Sequence, residues 1–222
     1  MDAIVVKVGG SLALYPEKLR SLCLKLNEAS KKQKLIIVPG GGESADVVRE
    51  YDKRFNLSSL AAHRMAILSM DQYGLLLSDL MQNSRITNEL EYVQSILDMD
   101  KLPVLLPSNL LFCETSLENS WDVTSDSISV FIAGQLEANK VVLVTDVDGI
   151  YASDPKKNPD SRFLNKLSAQ NLLMMSERTS VDKFLPEFIL KFHVKCVVVN
   201  GLYPKRVQAV LEERETICTS IS

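Results

Sequence analysis

The stretch Ile4-Val5-Val6-Lys7-Val8-Gly9-Gly10-Ser11 decides the fold that we expect for this chain. Its apolar run predicts a β-strand buried on both faces, and a lysine inside such a strand needs a partner for its ammonium group. The two glycines allow the backbone to approach a ligand closely, and Ser11 is predicted to cap a helix that begins near Pro16. A fixed cation, free backbone N–H groups and a helix N-terminus together indicate an anion site. The alternative is an ordinary strand and turn with a lysine that extends to solvent.

A second glycine turn follows the next apolar run, Leu35-Ile36-Ile37-Val38. The stretch Pro39-Gly40-Gly41-Gly42 ends that predicted strand, and residues 43–46 open another helix. Strand, glycine turn and helix again form the geometry of a phosphate site. The same glycines fit the dinucleotide-binding pattern GxGxxA, but a dinucleotide fold would place that pattern after the first strand. We therefore favour a phosphate site over a dinucleotide site.

The remaining chain alternates between strand and helix patterns. Apolar runs predict strands at residues 103–107, 141–144 and 195–199, a short strand at 86–87 and an edge strand at 216–221. Helical spacing predicts helices over residues 16–29, 57–81, 126–136, 167–175, 179–192 and 204–211. Residues 108–118 are expected to form a loop or hairpin, and residues 153–162 a polar loop able to cover a ligand. The alternation predicts an α/β fold in which a mostly parallel central sheet is sandwiched by helices on both faces.

Polar side chains follow the strand predicted at residues 141–144, in the stretch Thr145-Asp146-Val147-Asp148-Gly149-Ile150-Tyr151. Ligands of open α/β sheets lie beyond the carboxyl ends of the strands, so these side chains are placed for a nucleotide. The Asp148-Gly149 pair is also ordinary turn chemistry. Asp126, at the start of a predicted helix, either caps that helix or directs its carboxylate into the cleft. We expect these residues and both glycine turns to meet at one edge of the sheet.

Composition excludes several classes of function. The 222 residues are 46% apolar and carry a net charge of −3, which argues against a nucleic-acid-binding face. The four cysteines have no metal-ligand spacing, so we expect isolated thiols in a reducing compartment. No apolar run approaches the roughly 20 residues that span a bilayer, and no signal peptide precedes the first strand, so we expect a cytoplasmic protein without a membrane partner. The stretch Lys31-Lys32-Gln33-Lys34 is interpreted as a solvated helix end.

Four motifs resemble the amino acid kinase superfamily and follow its order along nearly the whole chain. They are Lys7-Val8-Gly9-Gly10-Ser11, Pro39-Gly40-Gly41-Gly42, Ser125-Asp126-Ser127, and the stretch from Thr145 to Tyr151 with Asp154-Pro155. The resemblance implies the αβα fold of that superfamily. It also implies transfer of the γ-phosphoryl group of ATP, with Mg²⁺ on the nucleotide phosphates.

The resemblance further implies roles for individual residues. Lys7 would bridge the transferring phosphoryl group, Asp126 would hold the lysines in position, and Lys183 is the nearest candidate for a second catalytic lysine, although its setting departs from the family pattern. The implied nucleotide-binding residues are Gly9, Gly10, Ser11, Thr145, Asp146, Asp148, Gly149, Tyr151, Asp154 and Lys156. The implied substrate-binding residues are Gly40, Gly41, Gly42, Glu43, Asp46 and Asp122, and the three acidic ones are candidates to bind an ammonium group on the acceptor. No residue is assigned as a metal ligand.

Within the superfamily, the strings Thr-Ser-Val-Asp and Val-Val-Asn-Gly resemble a group of archaeal kinases of methanofuran biosynthesis, whose acceptor is a small phosphate monoester. A phosphate acceptor is already ionised near neutral pH and therefore needs no general base. Other superfamily members, acting on an isoprenoid phosphate, a nucleoside monophosphate or an amino acid, remain alternatives. A non-catalytic subunit that binds nucleotides or oxyanions within an assembly is a further alternative.

We expect one domain, with an acceptor-side lobe of about residues 1–120 and 195–222 and a nucleotide-side lobe of about residues 121–194. The helix predicted at residues 57–81 is long enough to pair with its own copy across a subunit interface. A homo-oligomer is therefore expected.

Overall fold

The computed structural model describes residues 2–114, 117–153, 158, 160–175 and 180–222. Its strands are β1 (Ile4–Val8), β2 (Leu35–Pro39), β3 (Ser84–Thr87), β4 (Leu102–Leu105), β5 (Lys140–Thr145), β6 (Ile150–Tyr151), β7 (Phe163–Leu164), β8 (Lys166–Leu167), β9 (Lys195–Asn200) and β10 (Thr219–Ile221). Its α-helices are α1 (Pro16–Ala29), α2 (Gly42–Phe55), α3 (Ser59–Leu80), α4 (Glu91–Asp98), α5 (Ser108–Cys113), α6 (Ser125–Gln135), α7 (Ala169–Leu173), α8 (Leu185–Phe192) and α9 (Pro204–Leu211). A short 3-10 helix, Gly10–Leu14, joins β1 to α1.

Eight of these strands form one sheet in the order β3-β4-β2-β1-β5-β9-β10-β8. The strands from β3 to β9 in this order run parallel, and β10 pairs antiparallel with β9. Strands β6 and β7 form a separate antiparallel hairpin. The mostly parallel sheet confirms the predicted fold class. Strand β1 lies between β2 and β5, so its carboxyl end is flanked by two other strand ends.

Helices cover both faces of the sheet, because successive residues of each central strand point to opposite sides. Val5 of β1 belongs to one apolar cluster, together with Ile128 of α6 and Ile189 of α8. Val6 belongs to the other cluster, together with Leu22 of α1 and Val207 of α9. Val5 and Val6 are both fully buried. The sandwich therefore buries Lys7, which lies between Val6 and Val8 near the carboxyl end of β1.

Three local predictions were wrong. The region predicted as loop or hairpin contains α5, which is anchored where the Ser108 N–H donates to Asp71 Oδ1 at 3.2 Å and where Leu111 is buried. Ser11 does not cap α1, because the 3-10 helix intervenes and the Ser11 hydroxyl donates to Asp146 Oδ1 at 2.8 Å. The helix predicted over residues 179–192 begins only at Leu185, because the preceding residues make contacts with α6.

The two predicted lobes share the same sheet, since β5 of one lobe lies between β1 and β9 of the other. That the acceptor binds to one of these lobes and the nucleotide to the other therefore stays a prediction. Across the part of the chain that the structure describes, no helix combines the length and apolar character needed to cross a bilayer.

Candidate active site

The two glycine turns contact each other beyond the carboxyl ends of β1 and β2. The Gly9 N–H donates to the Val144 carbonyl at 2.7 Å, and the Gly40 N–H donates to the Val8 carbonyl at 2.8 Å. A Cβ atom built on Gly10 would lie 2.0 Å from the backbone nitrogen of Gly42. No side chain fits into that space, so glycine is required for the backbones to approach so closely. The structure thus brings together the turns that the sequence placed 30 residues apart.

Lys7 forms a buried ion pair with Asp126 at this edge of the sheet. The Lys7 Nζ and Asp126 Oδ1 atoms are 2.8 Å apart, and the two side chains are only 9% and 13% exposed. Asp126 lies in the first turn of α6, where the Thr124 hydroxyl accepts a hydrogen bond from its N–H. The positive end of the helix dipole also favours a carboxylate at this position. The lysine inside the first strand therefore has the partner that the sequence required.

Asp182 is a partly buried acidic residue to which the sequence analysis assigned no role. Its carboxylate accepts hydrogen bonds from Thr124 N and Oγ1 at 2.9 and 2.8 Å and from Leu185 N at 3.0 Å. It also accepts from the N–H and the hydroxyl of Ser127. Burial and the negative charge of Asp126 raise the pKa of this carboxyl. Asp182 thus joins the starts of α6 and α8 beside the Lys7–Asp126 pair. The signal in the sequence that could have indicated its role is an acidic residue just before a predicted helix start.

A cavity of about 830 Å³ opens beside this cluster. Its walls come from the glycine turns, the first turns of α2, α6 and α8, and one face of α3, and include Gly10, Gly41, Glu43, Asp126, Asp182 and Lys183. Cavities of this size hold small ligands in other proteins.

Lys183 lies at this cavity in a very different setting from Lys7. Its Nζ atom is 3.5 Å from Asp122 Oδ2, and the two side chains are 76% and 56% exposed. Among the described residues, Asp126 pairs with Lys7 and not with Lys183. The resemblance implied that Asp126 would hold both lysines in position. In the structure Asp126 holds Lys7, and Lys183 lies next to Asp122 instead.

The residues predicted to bind the nucleotide are only partly brought together. Asp146 Oδ1 accepts hydrogen bonds from Ser11 Oγ at 2.8 Å and from Thr145 Oγ1 at 3.2 Å. Asp148 Oδ1 accepts from Arg206 Nη1 at 2.6 Å, so its charge is already paired.

Gly149 and Tyr151, which are also predicted nucleotide-binding residues, follow Asp148 along the chain. Gly149 has a φ of +149°, and the Tyr151 ring packs edge-on against Phe163. Thr145, Asp146, Asp148, Gly149 and Tyr151 do not line the cavity, whereas Gly10 and Ser11 do. Asp154 and Lys156 lie outside the described residues.

The predicted acceptor side carries three acidic residues with different partners. Asp46 Oδ1 binds Arg49 Nη1 at 2.7 Å, and Asp122 binds Lys183. Glu43, in the first turn of α2, has no ion pair within the described part of the chain.

An anchored tryptophan adjoins these acidic residues. The Arg49 guanidinium lies 4.7 Å from the centre of the Trp121 ring, and Trp121 Nε1 donates to Asp52 Oδ2 at 2.8 Å. Nearby His63 is buried, which lowers the pKa of its imidazole. Arg49, Trp121 and His63 all line the cavity, and the sequence analysis had assigned none of them a role.

Comparison with known proteins agrees with this geometry. Residues 2–198 match the family model that is described as "Amino acid kinase family". The [5-(aminomethyl)furan-3-yl]methyl phosphate kinase of Methanocaldococcus jannaschii is 36% identical over 217 residues, which are 98% of this chain and 96% of that protein. A uridylate kinase of Pyrococcus abyssi is 26% identical over 213 residues, or 89% of each chain.

Solved structures share the fold at lower sequence identity. The uridylate kinase of Archaeoglobus fulgidus superposes with a TM-score of 0.79 at 18% identity, with 100% of both chains covered. The UMP kinase of Ureaplasma parvum superposes with a TM-score of 0.77 at the same identity, and 98% of its chain is covered. With a family match that spans most of its length, this chain belongs to the amino acid kinase family.

Proposed function

We propose that the protein is an ATP-dependent kinase that phosphorylates a small phosphate monoester, and that the acceptor is [5-(aminomethyl)furan-3-yl]methyl phosphate, which becomes a diphosphate in methanofuran biosynthesis. The observation that carries the proposal is the buried Lys7–Asp126 pair beside two touching glycine turns. The choice of acceptor rests on the relative that is 36% identical over nearly the whole chain.

Phosphoryl transfer mainly requires positioning and neutralisation of charge. An oxygen of the acceptor phosphate bonds to the γ-phosphorus while the bond to the β–γ bridging oxygen breaks, and ADP leaves. Lys7 places its ammonium against the transferring group, and Asp126 keeps that ammonium at the end of β1. The backbone N–H groups of the glycine turns donate to phosphate oxygens on either side. No side chain has to remove a proton, because the acceptor phosphate is already ionised.

We place the donor nucleotide beside Ser11 and Asp146 and the acceptor beside Gly41 and Glu43, so that the lobes predicted from the sequence correspond to the two substrates. The described residues contain no cluster of three or more His, Cys, Asp or Glu side chains that could enclose a metal ion. We propose that Mg²⁺ binds mainly to the nucleotide phosphates, where it would neutralise their charge.

Glu43 is the best placed of the three acidic candidates to bind the ammonium group of the acceptor. Asp46 and Asp122 already have cationic partners, Arg49 and Lys183. A carboxylate directly after a phosphate-binding turn repels the phosphate unless the ligand brings a positive charge with it. We therefore expect Glu43→Gln to raise the KM for the aminomethyl acceptor and to leave the KM for an acceptor without the amine unchanged.

An acceptor panel tests the proposed function. Purified protein is incubated with ATP and Mg²⁺ and with one acceptor at a time: the aminomethylfuran phosphate, UMP, isopentenyl phosphate and N-acetylglutamate. Coupled ADP release is measured, and the diphosphate product is identified by mass spectrometry. We expect the highest kcat/KM for the furan phosphate. A preference for UMP would assign the protein to the function of its 26% identical relative, and no turnover with any acceptor would favour a non-catalytic subunit.

We also propose that the protein self-associates through α3. This helix of 22 residues exposes about half of each of four leucine side chains: Leu60 (46%), Leu68 (45%), Leu75 (52%) and Leu76 (45%). Exposed apolar side chains gathered along one helix are typical of a protein–protein contact. Size-exclusion chromatography with light scattering should give at least a dimer, and a monomer at micromolar concentration would remove this proposal.

A further inference from the structure

A second cavity, of about 700 Å³, lies at the opposite end of the sheet from the candidate active site. It is lined by Ile4, Lys140 and Lys195, which are the first residues of β1, β5 and β9. Lys32 and Lys34, just before β2, also line it. We call this cavity the amino-end groove. Lys32 and Lys34, which the sequence analysis interpreted as part of a solvated helix end, therefore form part of a concave surface.

Like charges stand next to each other in the amino-end groove. Lys140 and Lys195 are direct partners in the parallel pairing of β5 with β9. Neighbouring strands lie only about 4.8 Å apart, and like charges at paired positions destabilise a sheet. An anion bound beside the two ammonium groups would reduce this repulsion.

The carboxylates of the protein compensate these lysines only in part. Lys34 Nζ lies 3.7 Å from Asp98 Oδ1, and the two side chains are 47% and 59% exposed. Lys140 is the most buried of the four, and its Nζ donates to the Val210 carbonyl at 3.0 Å. The nearest carboxylate oxygen, on Glu213, is 3.9 Å away, and the Glu213 side chain is 84% exposed. Burial lowers the pKa of Lys140, Glu213 and Cys218 act in the opposite direction, and the charge of Lys195 adds a smaller lowering. The ammonium form of Lys140 would therefore gain from a bound anion.

The charge of the groove contrasts with that of the whole protein. Four lysines line it against two acidic residues, Asp2 and Glu213, whereas the chain carries a net charge of −3. Three side-chain amides, of Gln33, Gln94 and Asn139, also line the groove and can donate hydrogen bonds. Cations and amide donors in a concave site are the chemistry that recognises oxyanions.

We propose that the amino-end groove binds a linear polyphosphate, either free or as the phosphate chain of a nucleotide. The lysines lie just before β2 and at the starts of β5 and β9, and β1, whose first residue is Ile4, lies between β2 and β5 in the sheet. Three strand spacings amount to about 14 Å, so a chain of several phosphates matches the spread of charge better than a single phosphate does. The site is separate from the proposed phosphoryl-transfer site, because it lies at the other ends of the same parallel strands.

The test compares two double variants of equal charge by isothermal titration calorimetry with inorganic tripolyphosphate. The groove variant carries Lys34→Gln and Lys195→Gln, and the control variant carries Lys18→Gln and Lys205→Gln, two exposed lysines that line neither cavity. We expect the groove variant to bind tripolyphosphate about tenfold more weakly than the wild type, because each lost surface cation weakens binding up to about fivefold. The control variant should stay within twofold of the wild type, and orthophosphate should bind the wild type much more weakly than tripolyphosphate.

Two further arms identify the site and the source of the phosphate chain. A Lys7→Met protein should retain groove binding of tripolyphosphate, because its change lies at the other end of β1. If nucleotides enter the groove, titration with ATP should show two binding sites in the wild type and one in the groove variant. If only free polyphosphate enters the groove, ATP should show one binding site in both proteins. Equal affinity of the groove and control variants for tripolyphosphate would overturn the proposal.

Discussion

Lys7 and Lys183, which both lie beside the proposed transfer site, differ in how the fold holds them. Lys7 is inside the central strand and lies 2.8 Å from a carboxylate, with both side chains nearly buried. Lys183 is in a surface segment and lies 3.5 Å from a carboxylate, with both side chains mostly exposed. A buried cation that is fixed before the substrates arrive can stabilise charge in the transition state without reorganisation. Lys7 is therefore preorganised by the sheet, whereas the exposed Lys183 side chain is free to move when a ligand binds.

The largest effect is expected from Lys7→Met, which keeps an unbranched side chain in the strand but removes the charge. Turnover should fall about 10²- to 10³-fold, as it does when a preorganised electrostatic donor is lost. Coupled ADP release at saturating substrates measures this effect, with Lys205→Met on α9 as the control. If turnover stayed within threefold of the wild type, the assignment of Lys7 and the contrast with Lys183 would both fail.

The next largest effect is expected from Asp126→Asn, which tests whether the Lys7–Asp126 ion pair also stabilises the fold. Asp126→Asn leaves the Lys7 ammonium buried without a carboxylate, so the free energy of unfolding should fall by about 3 kcal/mol. Urea unfolding followed by circular dichroism gives this value, and Asp122→Asn is the matched control from the exposed pair. An equal effect of the two variants on the unfolding midpoint would show that burial does not distinguish the pairs.

A smaller effect on turnover and none on folding is expected for Lys183→Ala. If Lys183 contacts the phosphates only in the bound state, turnover should fall about tenfold, which corresponds to roughly 1.4 kcal/mol of transition-state stabilisation. The free energy of unfolding should change by less than about 0.5 kcal/mol, since the side chain is exposed. Lys191→Ala on α8 is the control. Unchanged turnover would remove Lys183 as the second catalytic lysine.

The smallest effect is expected for Asp122→Asn. Exposed ion pairs contribute about 0–1 kcal/mol and weaken with salt, so stability should barely change and the difference should vanish at high ionic strength. Thermal unfolding at low and high NaCl concentration measures it. A loss of stability that did not depend on salt would mean that the Asp122–Lys183 ion pair is less exposed to solvent than its side-chain exposure indicates.

The fold could be predicted from the sequence because its signals are local. Buried apolar runs of four to six residues set the central strands, and leucine spacing set the long helix now seen as Ser59–Leu80. Glycines at two strand ends, and a lysine inside the first strand, indicated where the proposed transfer site would form. Each of these patterns depends on neighbours within one turn or one strand.

The missed features all depend on partners that are distant in the chain. Asp182 accepts hydrogen bonds from Thr124 and Ser127, more than 50 residues away, and Asp148 pairs with Arg206. Helix α5 forms where an N–H meets Asp71 of α3. Tertiary contacts of this kind override local preference, and spacing along one sequence does not reveal them. The roles of these residues toward ligands stay predictions.

The contact between the glycine turns has a consequence for how this sequence can evolve. A methyl group on Gly10 would meet the Gly42 nitrogen at 2.0 Å, and one on Gly40 would meet the Gly10 nitrogen at 2.7 Å. A saturation library selected only for folded protein, with no demand for catalysis, should therefore return glycine at both positions. A descendant that had lost its activity would keep this signature unchanged. Within such a lineage, retention of Lys7 would be the better guide to whether a member still works as an enzyme.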